Sequence, residues 1–406
     1  MPTTRFLRSF EDLRWVAERS DHVLTLFSGG LDSSYLLQEL AHAQCKVTAL
    51  SIDLGEGVHR TDLAEIADHF GADLLVIDGR DVFARDAVLP AIRAQARYLG
   101  IYPISASLSR PIIARYAVET ARRLGCDAIV HTANQSQNSL RRLNGAIGQL
   151  GFTGYYGTPY EFSAITRLEK IEALRKLGLT RFQARGISGD ANLWCREFES
   201  GSLDNPEGFW VPESLFDWTA ASDKTRREPE LAVTYDAGTP VELNGDALAP
   251  VELIARLNRQ AGAFGIGRFC GLEHLDQGEK VLEVREAPAA HVLMDAYRHL
   301  ETATLDAELL REKMHMEQVW VREAIEGRWF SALRAAADGF IEQCVTRVSG
   351  MVRYRLREGA ADVCAIQAEA PIYLTDRDAW EKEVAVVRHA RRLADLPSVE
   401  ETISTV

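Results

Sequence analysis

The chain of 406 residues is 46% hydrophobic and 26% charged, a composition typical of a soluble globular protein with two or three domains. Its formal net charge of −13 argues against nucleic acid and anionic membranes as partners. The six cysteines form no CxxC pair, and no signal peptide or membrane span is visible, so we expect a cytoplasmic protein without a zinc site or a disulfide framework.

Predicted strands and helices alternate in the first part of the chain. Short apolar runs predict strands at VLTLF, KVTALSIDL, DLLVID and CDAIVHTA. Helical periodicity separates them, at SSYLLQELAHA, RTDLAEIADHFG, DVFARDAVLPAIRAQARYLG and residues 110–125. This order predicts an α/β fold with a parallel sheet, helices on both faces and ligands beyond the carboxyl ends of the strands.

The alternation fades after about residue 180, where a stretch containing Gly, Trp and Pro begins. LAVTYDAGTPVELNG and VSGMVRYRLREGAADVCAIQ then predict antiparallel strands, and VELIARLNRQAGAFG and SALRAAADGFIEQC predict helices. AWEKEVAVVRHARRLADL predicts a terminal amphipathic helix. We therefore divide the chain into an N-terminal extension (1–22), an α/β nucleotide-binding domain (23–182), an α+β domain (183–375) and a C-terminal helix (376–406).

The loop in TLFSGGLDSS follows the first predicted strand and opens the first predicted helix. Its glycines allow the backbone to approach an anion, its serines add hydroxyl donors, and the helix presents free N–H groups. Asp32 beside a phosphate suggests that Mg²⁺ lies between them. The loop lacks the lysine of a GxxxxGK[ST] motif. A glycine turn with a capping serine is the structural alternative.

The SGGxDS pattern resembles the PP-loop of the N-type ATP pyrophosphatases. Other segments are similar, in the right order, to the argininosuccinate synthase family: SGGLDSS, DLGEG (53–57), YPISASLSRPIIAR (102–115), ANLWCREFESGSLDNP (191–206), and PVELNG, PVELIARLN and GIGR (240–268). The resemblance extends from about residue 23 to about residue 373. It implies a PP-loop domain, a synthetase domain and a C-terminal oligomerisation helix.

The resemblance also implies a reaction in two steps. The ureido oxygen of citrulline attacks the α-phosphate of ATP and releases pyrophosphate. The amine of aspartate then displaces AMP to give argininosuccinate. ATP and Mg²⁺ are the implied cofactors. A homotetramer is the implied assembly, held by the terminal helix, whose predicted apolar side is Trp380, Val384, Val387, Ala390 and Ala394.

Site residues follow from the resemblance position by position. The implied ATP contacts are Ser28, Gly29, Gly30, Asp32, Ser33, Ser34, Ala49, His131 and Thr132, with Asp32 also near the metal. Tyr102, Ser107 and Arg142 match the grip on the citrulline carboxylate, Ser188 and Glu273 lie near its amino group, and Asn138 lies between the two substrates. The implied catalytic residues are Asp32, Ser33, Asn138 and Arg142.

Departures from the family pattern cluster in the substrate site. The family has HGATGKGNDQVRFE where this chain has HTANQSQNSLRRLN at 131–144. Three glycines become Thr132, Gln135 and Gln137, and two residues that contact aspartate become Asn134 and Ser139. A serine and a tyrosine near the citrulline amine become Glu197 and Arg285, which we expect to pair with each other.

Three interpretations of these departures stay open. The chain is a working argininosuccinate synthase, a diverged relative with another ureido or acyl substrate or another amine, or a nucleotide-binding protein without catalysis. A tRNA thiolase is disfavoured because it needs a reactive cysteine and a basic RNA surface. A glutamine-dependent synthetase is disfavoured because no glutaminase motif is recognisable.

Overall fold

The computed structural model describes residues 5–55, 57, 59–182, 187–220, 229–275 and 278–394. The N-terminal part forms, in chain order, β1 (Phe6–Leu7), α1 (Phe10–Ala17), β2 (His22–Leu26), α2 (Leu31–Leu40), β3 (Lys46–Asp53), α3 (Arg60–His69), β4 (Asp73–Asp78), α4 (Arg80–Phe83), α5 (Leu89–Arg93), β5 (Arg97–Tyr98), β6 (Tyr102–Pro103), α6 (Ala106–Leu124), β7 (Ala128–Val130), α7 (Ser139–Gln149), β8 (Tyr155–Gly157) and α8 (Arg167–Lys176). In this described part of the chain, no helix is long and apolar enough to cross a membrane.

A six-stranded sheet in the order β1-β8-β7-β2-β3-β4 organises the N-terminal part, and all of its strand pairs are parallel. Two separate apolar clusters cover its faces, one built on Leu36 and Ile66 and the other on Val118 and Ile147. Burial on both faces explains why the strands are continuous apolar runs. The predicted α/β fold is therefore confirmed.

The first residues of the chain belong to this sheet. β1 is the edge strand and pairs with β8, with Phe6 opposite Tyr156. Ser9 and Asp12 form a capping box that starts α1. Phe10 then packs edge-to-face on Tyr160, with ring centroids 5.2 Å apart. Residues 5–17, which fall in the N-terminal extension expected from the sequence, thus contribute a strand and a helix to the sheet domain.

The helix predicted over DVFARDAVLPAIRAQARYLG is continuous from Arg80 to Arg93 but contains a π-helical turn. α4 runs into a π-helical turn, Ala84–Val88, before α5 starts at Leu89, and the segment ends in the two-residue strand β5. Pro90 lacks an N–H group, so it cannot donate the helical hydrogen bond to a carbonyl of the preceding turn. The π-helical turn lies directly before α5, the helical segment that contains this proline.

The C-terminal part contains two antiparallel sheets and a helical layer. Its elements are β9 (Ser188–Ala191), β10 (Arg196–Glu199), β11 (Glu230–Asp236), β12 (Thr239–Leu243), β13 (Asp246–Ala247), α9 (Pro250–Gly262), β14 (Arg268–His274), β15 (Lys280–Glu286), α10 (Pro288–Thr304), α11 (Ala307–Ile325), α12 (Ala332–Val345), β16 (Gly350–Arg357), β17 (Ala360–Ala368) and α13 (Arg377–Ala394). The sheet orders are β14-β15-β10-β9 and β13-β12-β11-β16-β17. Both predicted antiparallel pairs, β11 with β12 and β16 with β17, are confirmed.

The strand β14 packs directly on the N-terminal part. A Cβ atom at Gly271 would lie 2.7 Å from the ring of Tyr102, so only glycine allows this approach. Tyr98 stacks on Tyr102 with centroids 5.4 Å apart and also stacks on His274. Leu193 donates its backbone N–H to the carbonyl of Leu54 at 2.8 Å. These contacts bring the carboxyl edge of the parallel sheet against the sheet β14-β15-β10-β9.

The C-terminal helix α13 has exposed apolar side chains. Trp380 is 44% exposed and Val387 is 45% exposed. Residues 395–406 of the predicted helix, and the side chains of Ala390 and Ala394, lie outside the described residues. The predicted apolar side of the helix is thus seen in part and is open to solvent in the single chain.

Candidate active site

The glycine loop lies between β2 and α2, at the carboxyl edge of the parallel sheet. Gly29 has φ +72°, a conformation that favours glycine. The hydroxyl of Ser28 accepts from the N–H of Gly30 at 3.3 Å and lies 3.3 Å from the hydroxyl of Ser33. These contacts fold the loop into a turn that leads straight into the helix.

The start of α2 is suited to an anion. Within the described residues, no side chain caps this helix at Gly30. The hydroxyl of Ser34 is fully buried, and the described part of the chain offers it no hydrogen-bond partner. Free backbone N–H groups and an orphan hydroxyl at a helix N-terminus fit a polyphosphate.

Asp32 lies in the first turn of α2, beside this loop. Its carboxylate accepts from the ammonium of Lys170 at 2.5 Å, and its backbone carbonyl accepts from the hydroxyl of Tyr160 at 2.9 Å. The described residues contain no group of three or more His, Cys, Asp or Glu side chains placed to hold a metal ion. A divalent cation near Asp32 would therefore take most of its ligands from a polyphosphate and water.

The other predicted nucleotide contacts come from neighbouring strands. Ala49 is fully buried in β3, opposite Thr25 of β2. His131 directly follows β7, and Thr132 beside it is half-buried. These residues border the glycine loop on its two sides, because β2 lies between β3 and β7 in the sheet.

His131 is held neutral. Its Nδ1 atom accepts from the N–H of Ala133 at 3.3 Å, and its Nε2 atom lies 2.9 Å from Oδ1 of Asn144. A ring that accepts at Nδ1 and donates at Nε2 is the neutral tautomer. Burial lowers the pKa of His131 to about 4. The substituted residue Asn144 is thus the structural partner of His131.

Glu273 of β14 forms the centre of a buried cluster. One carboxylate oxygen accepts from the amide of Asn138 at 2.8 Å and from Arg142 at 2.5 Å. The other accepts from the hydroxyl of Tyr102 at 3.1 Å and from Arg285 at 3.2 Å. The structure therefore brings together five predicted substrate contacts from both parts of the chain.

Arg285 of β15 is shared among three carboxylates. Besides Glu273 it contacts Glu197 and Glu283. Its guanidinium group also lies 4.3 Å from the ring centroid of Tyr102. The expected pairing of Glu197 with Arg285 is confirmed. Glu283 was missed, although its position two residues before Arg285 on one strand places both side chains on the same face.

The three carboxylates of this cluster differ in their affinity for protons. Burial opposes ionisation of Glu273, but the charges of Arg142 and Arg285 outweigh it and lower its pKa to about 2. Burial raises the pKa of Glu283 to about 8, against the attraction of Arg285. Burial likewise raises the pKa of Glu197. Glu273 therefore holds the negative charge, while its neighbours retain protons more readily.

A second polar group lies along α6. The guanidinium of Arg110, which sequence reasoning missed, donates to the hydroxyl of Ser139 at 3.0 Å and to Asp190 at 2.6 Å. Ser107 is buried in the first turn of α6, and Ser188 begins β9. Within the described residues, no hydrogen bond joins Ser107 or Ser188 to the Glu273 cluster.

The substituted loop after β7 is tied by its own polar side chains. The carbonyl oxygen of the Asn134 side chain accepts from the N–H of Ser136 at 3.0 Å and from its hydroxyl at 2.7 Å. Gln137 donates to Glu199 of β10 at 3.1 Å. These contacts connect the loop to itself and to the sheet β14-β15-β10-β9.

Comparison with known proteins follows the same division of the chain. A family described as Arginosuccinate synthase N-terminal HUP domain matches residues 22–179, and Arginosuccinate synthase C-terminal domain matches residues 187–395. Argininosuccinate synthase of Rubrobacter xylanophilus is 37% identical over 365 residues, 89% of this chain and 89% of that protein. The enzyme of Picosynechococcus is 37% identical over 88% of this chain and 91% of its own length.

A solved structure of a U34-tRNA thiolase from Methanococcus maripaludis, with its 4Fe-4S cluster, is more distant. It is 16% identical, with a TM-score of 0.30, and covers 42% of this chain and 60% of its own. This likeness carries no argument about function.

The pair Glu197 and Arg285 can be tested by a double-mutant cycle. Arg285→Tyr alone should lower the free energy of unfolding by about 3 kcal/mol, because it leaves three buried carboxyl groups without their shared cation. Glu197→Ser combined with Arg285→Tyr should cost clearly less, since the acid leaves with the base. Urea unfolding measures both. Arg357→Tyr, which breaks the exposed ion pair of Arg357 with Asp362, serves as a surface control. Equal losses of the free energy of unfolding in the single and double variants would contradict the coupling.

The neutral state of His131 predicts a pH dependence of stability. The pKa of His131 is about 6.5 in the unfolded chain and about 4 in the folded chain. Between these two pH values the unfolded chain binds more protons, so the free energy of unfolding decreases as the pH falls. The loss should reach about 3 kcal/mol. His131→Gln should flatten this part of the melting temperature curve between pH 7 and 4.5, whereas the exposed His315→Gln should not. Parallel curves for all three proteins would refute the prediction.

Proposed function

The chain belongs to the argininosuccinate synthase family, and from that membership we infer that the site described above adenylates citrulline and joins it to aspartate. The protein is an ATP-dependent ligase that forms a C–N bond and releases AMP and pyrophosphate. The observation that carries this assignment to the site is the uncapped N-terminus of α2 behind a glycine loop. It follows β2, and the paired strand β7 leads to Asn138 and Arg142 of the Glu273 cluster.

The chemistry explains the need for such a loop. A ureido oxygen is a poor leaving group, so citrulline must first attack the α-phosphate of ATP. The pyrophosphate that leaves takes the electron pair of the broken P–O bond. N–H groups of the glycine loop and the hydroxyls of Ser28, Ser33 and Ser34 would hold that charge. The amine of aspartate then attacks the activated carbon, and AMP leaves.

The Glu273 cluster is proposed to bind the amino-acid end of citrulline. Arg142 and Glu273 form a direct ion pair at 2.5 Å. A zwitterion can insert between them, with its carboxylate on Arg142 and its ammonium on Glu273, so every buried charge keeps a partner. Tyr102 and Ser107 would add contacts to the carboxylate and Ser188 to the ammonium. Asn138, already bound to Glu273, would lie between citrulline and aspartate.

The departures from the family pattern are compatible with this reaction. Arg285 and Glu197 neutralise each other within the pocket, so their joint replacement of two uncharged residues leaves its net charge unchanged. We propose that Asn134 and Ser139 face the aspartate. The comparisons give no support to the alternative of another substrate or of a protein without catalysis.

ATP is the nucleotide substrate, and we propose that Mg²⁺ accompanies it. Asp32 is the carboxylate beside the glycine loop, and it is 41% exposed. It would hold the metal together with the phosphate oxygens of ATP, and the metal would screen the charge of the triphosphate. Asp32 and Ser33 would thereby position the reacting phosphate, which is their proposed catalytic role.

The reaction is tested by pyrophosphate release with ATP, Mg²⁺, citrulline and aspartate. We expect argininosuccinate by mass spectrometry and one pyrophosphate per product. Arg142→Gln should raise the KM for citrulline by about a hundredfold, because it removes a charge-assisted contact to the substrate and one of the two guanidinium partners of Glu273. The KM for ATP should change little.

The surface variant Arg256→Gln on α9, whose guanidinium is 40% exposed, provides a control that should behave like the parent protein. Absence of release with both amino acids, in a protein that still binds ATP, would contradict the assigned substrates. Loss of ATP binding in the Arg142 variant would contradict its assigned place in the site.

We further propose a cytoplasmic homotetramer. All six cysteines are free, which favours a reducing compartment. The exposed Trp380 and Val387 of α13 could be covered by neighbouring subunits. Light scattering should give four times the mass of 45.2 kDa. Truncation after residue 375 should give a smaller assembly, and an unchanged mass after truncation would contradict the role of α13.

A further inference from the structure

Lys170 on α8 is a largely buried lysine that contacts the start of α2. Its side chain is only 10% exposed, and its ammonium lies 2.5 Å from the carboxylate of Asp32. The ammonium also lies 4.7 Å from the centroid of the Tyr160 ring. Tyr160 in turn holds the backbone carbonyl of Asp32. α8 is thus fixed to the first turn of α2 by a buried cation and an aromatic ring.

A cavity of about 540 Å³ opens beside this lysine. It is lined by Lys170, by the segment 134–136 after β7, and by residues 160–165 after β8. Asn134 and Ser136 contribute polar side chains to its wall. The cavity is connected to the start of α2 through Lys170, which contacts Asp32, and Asp32 shares the first turn of α2 with the buried hydroxyl of Ser34.

The ammonium of Lys170 has donors to spare. It carries three N–H groups. Among the described residues, Asp32 accepts one of them, and no second acceptor contacts this nitrogen. A polyphosphate at the start of α2 would meet the negative charge of Asp32. Lys170 cancels that charge and still has two donors for phosphate oxygens.

We propose that Lys170 is a pyrophosphate-binding residue, which donates to the terminal phosphates of ATP and stabilises the pyrophosphate as it leaves. When the bond between the α-phosphorus and the bridging oxygen breaks, the electron pair moves to the pyrophosphate, next to the ammonium. This inference rests on the proposed function, because it assigns a residue to the leaving group of that reaction.

Calorimetry with inorganic pyrophosphate, in EDTA and without metal, tests this assignment directly. Lys170→Met should weaken pyrophosphate binding by about tenfold or more, as expected for the loss of a charge-assisted hydrogen bond. Lys170→Arg should restore most of the affinity. Lys176→Met removes an exposed lysine from the same helix and should change nothing. Thermal melts of each variant establish that the protein is folded.

The variant Asp32→Asn, used as a second starting protein, shows whether Lys170 binds pyrophosphate itself or only positions Asp32. Asp32→Asn should not weaken metal-free pyrophosphate binding, because it removes a negative charge and frees Lys170. Adding Lys170→Met to Asp32→Asn should again cost about tenfold in affinity. If this double variant binds pyrophosphate as well as Asp32→Asn does, Lys170 acts only by holding Asp32, and the inference is overturned. Absence of metal-free pyrophosphate binding by the parent protein also overturns it.

The failure of the two proposals can be told apart. Intact pyrophosphate binding without product formation from citrulline and aspartate would contradict the proposed function and leave the role of Lys170 standing. Normal product formation, with unchanged pyrophosphate affinity and KM for ATP in Lys170→Met, would contradict this inference alone.

Discussion

The carboxylate of Glu273 is the interaction on which the site depends. It is nearly inaccessible to solvent and belongs to the C-terminal part, yet Tyr102, Asn138 and Arg142 reach it from the N-terminal part. A buried charge is tolerated only when it is paired and hydrogen-bonded. The loss of one of these donors would therefore leave part of the Glu273 charge without compensation. The same contacts that join the two parts of the chain therefore create a binding site for a zwitterion. Stability and recognition cannot be separated at this position.

Substitutions inside such a cluster are constrained to occur in compensating sets. Glu197 and Arg285 carry opposite charges, touch each other and lie on neighbouring strands of one sheet. Without Arg285, a lone acid at 197 would have added a third carboxyl group beside Glu273 and Glu283, with Arg142 on Glu273 as the remaining guanidinium of the cluster. A sequence compared position by position shows two radical replacements, whereas the structure shows one neutral exchange. His131 and Asn144 form a similar unit, since the amide is suited to a histidine that stays uncharged.

The sequence pattern was sufficient for β2, β3, β4 and β7 of the parallel sheet, for the glycine loop and for two antiparallel pairs, because each depends on local periodicity or turn chemistry. The short strands β1 and β8 were not predicted. The sequence pattern also did not predict the π-helical turn before α5, which contains Pro90, a residue that cannot donate a helical hydrogen bond. Lys170 and Arg110 were also missed. Each reaches its partner from a distant segment, 138 residues from Asp32 for Lys170, and no local signal marks such a contact. The position of Glu283 beside Arg285 follows from the alternation of side chains along β15, in which residues two apart lie on the same face.

The strand order also determines how the chain assembles on the ribosome. β2, β3 and β4 are consecutive and can pair as soon as they emerge, but β7, then β8 and finally β1 must be added on the other side of β2. Phe6 pairs with Tyr156, which is synthesised 150 residues later. At about 10 residues per second this delay is about 15 s. β1 is therefore synthesised before the other five strands of this sheet but docks last, and until β8 is made its backbone N–H and C=O groups have no partner in the sheet.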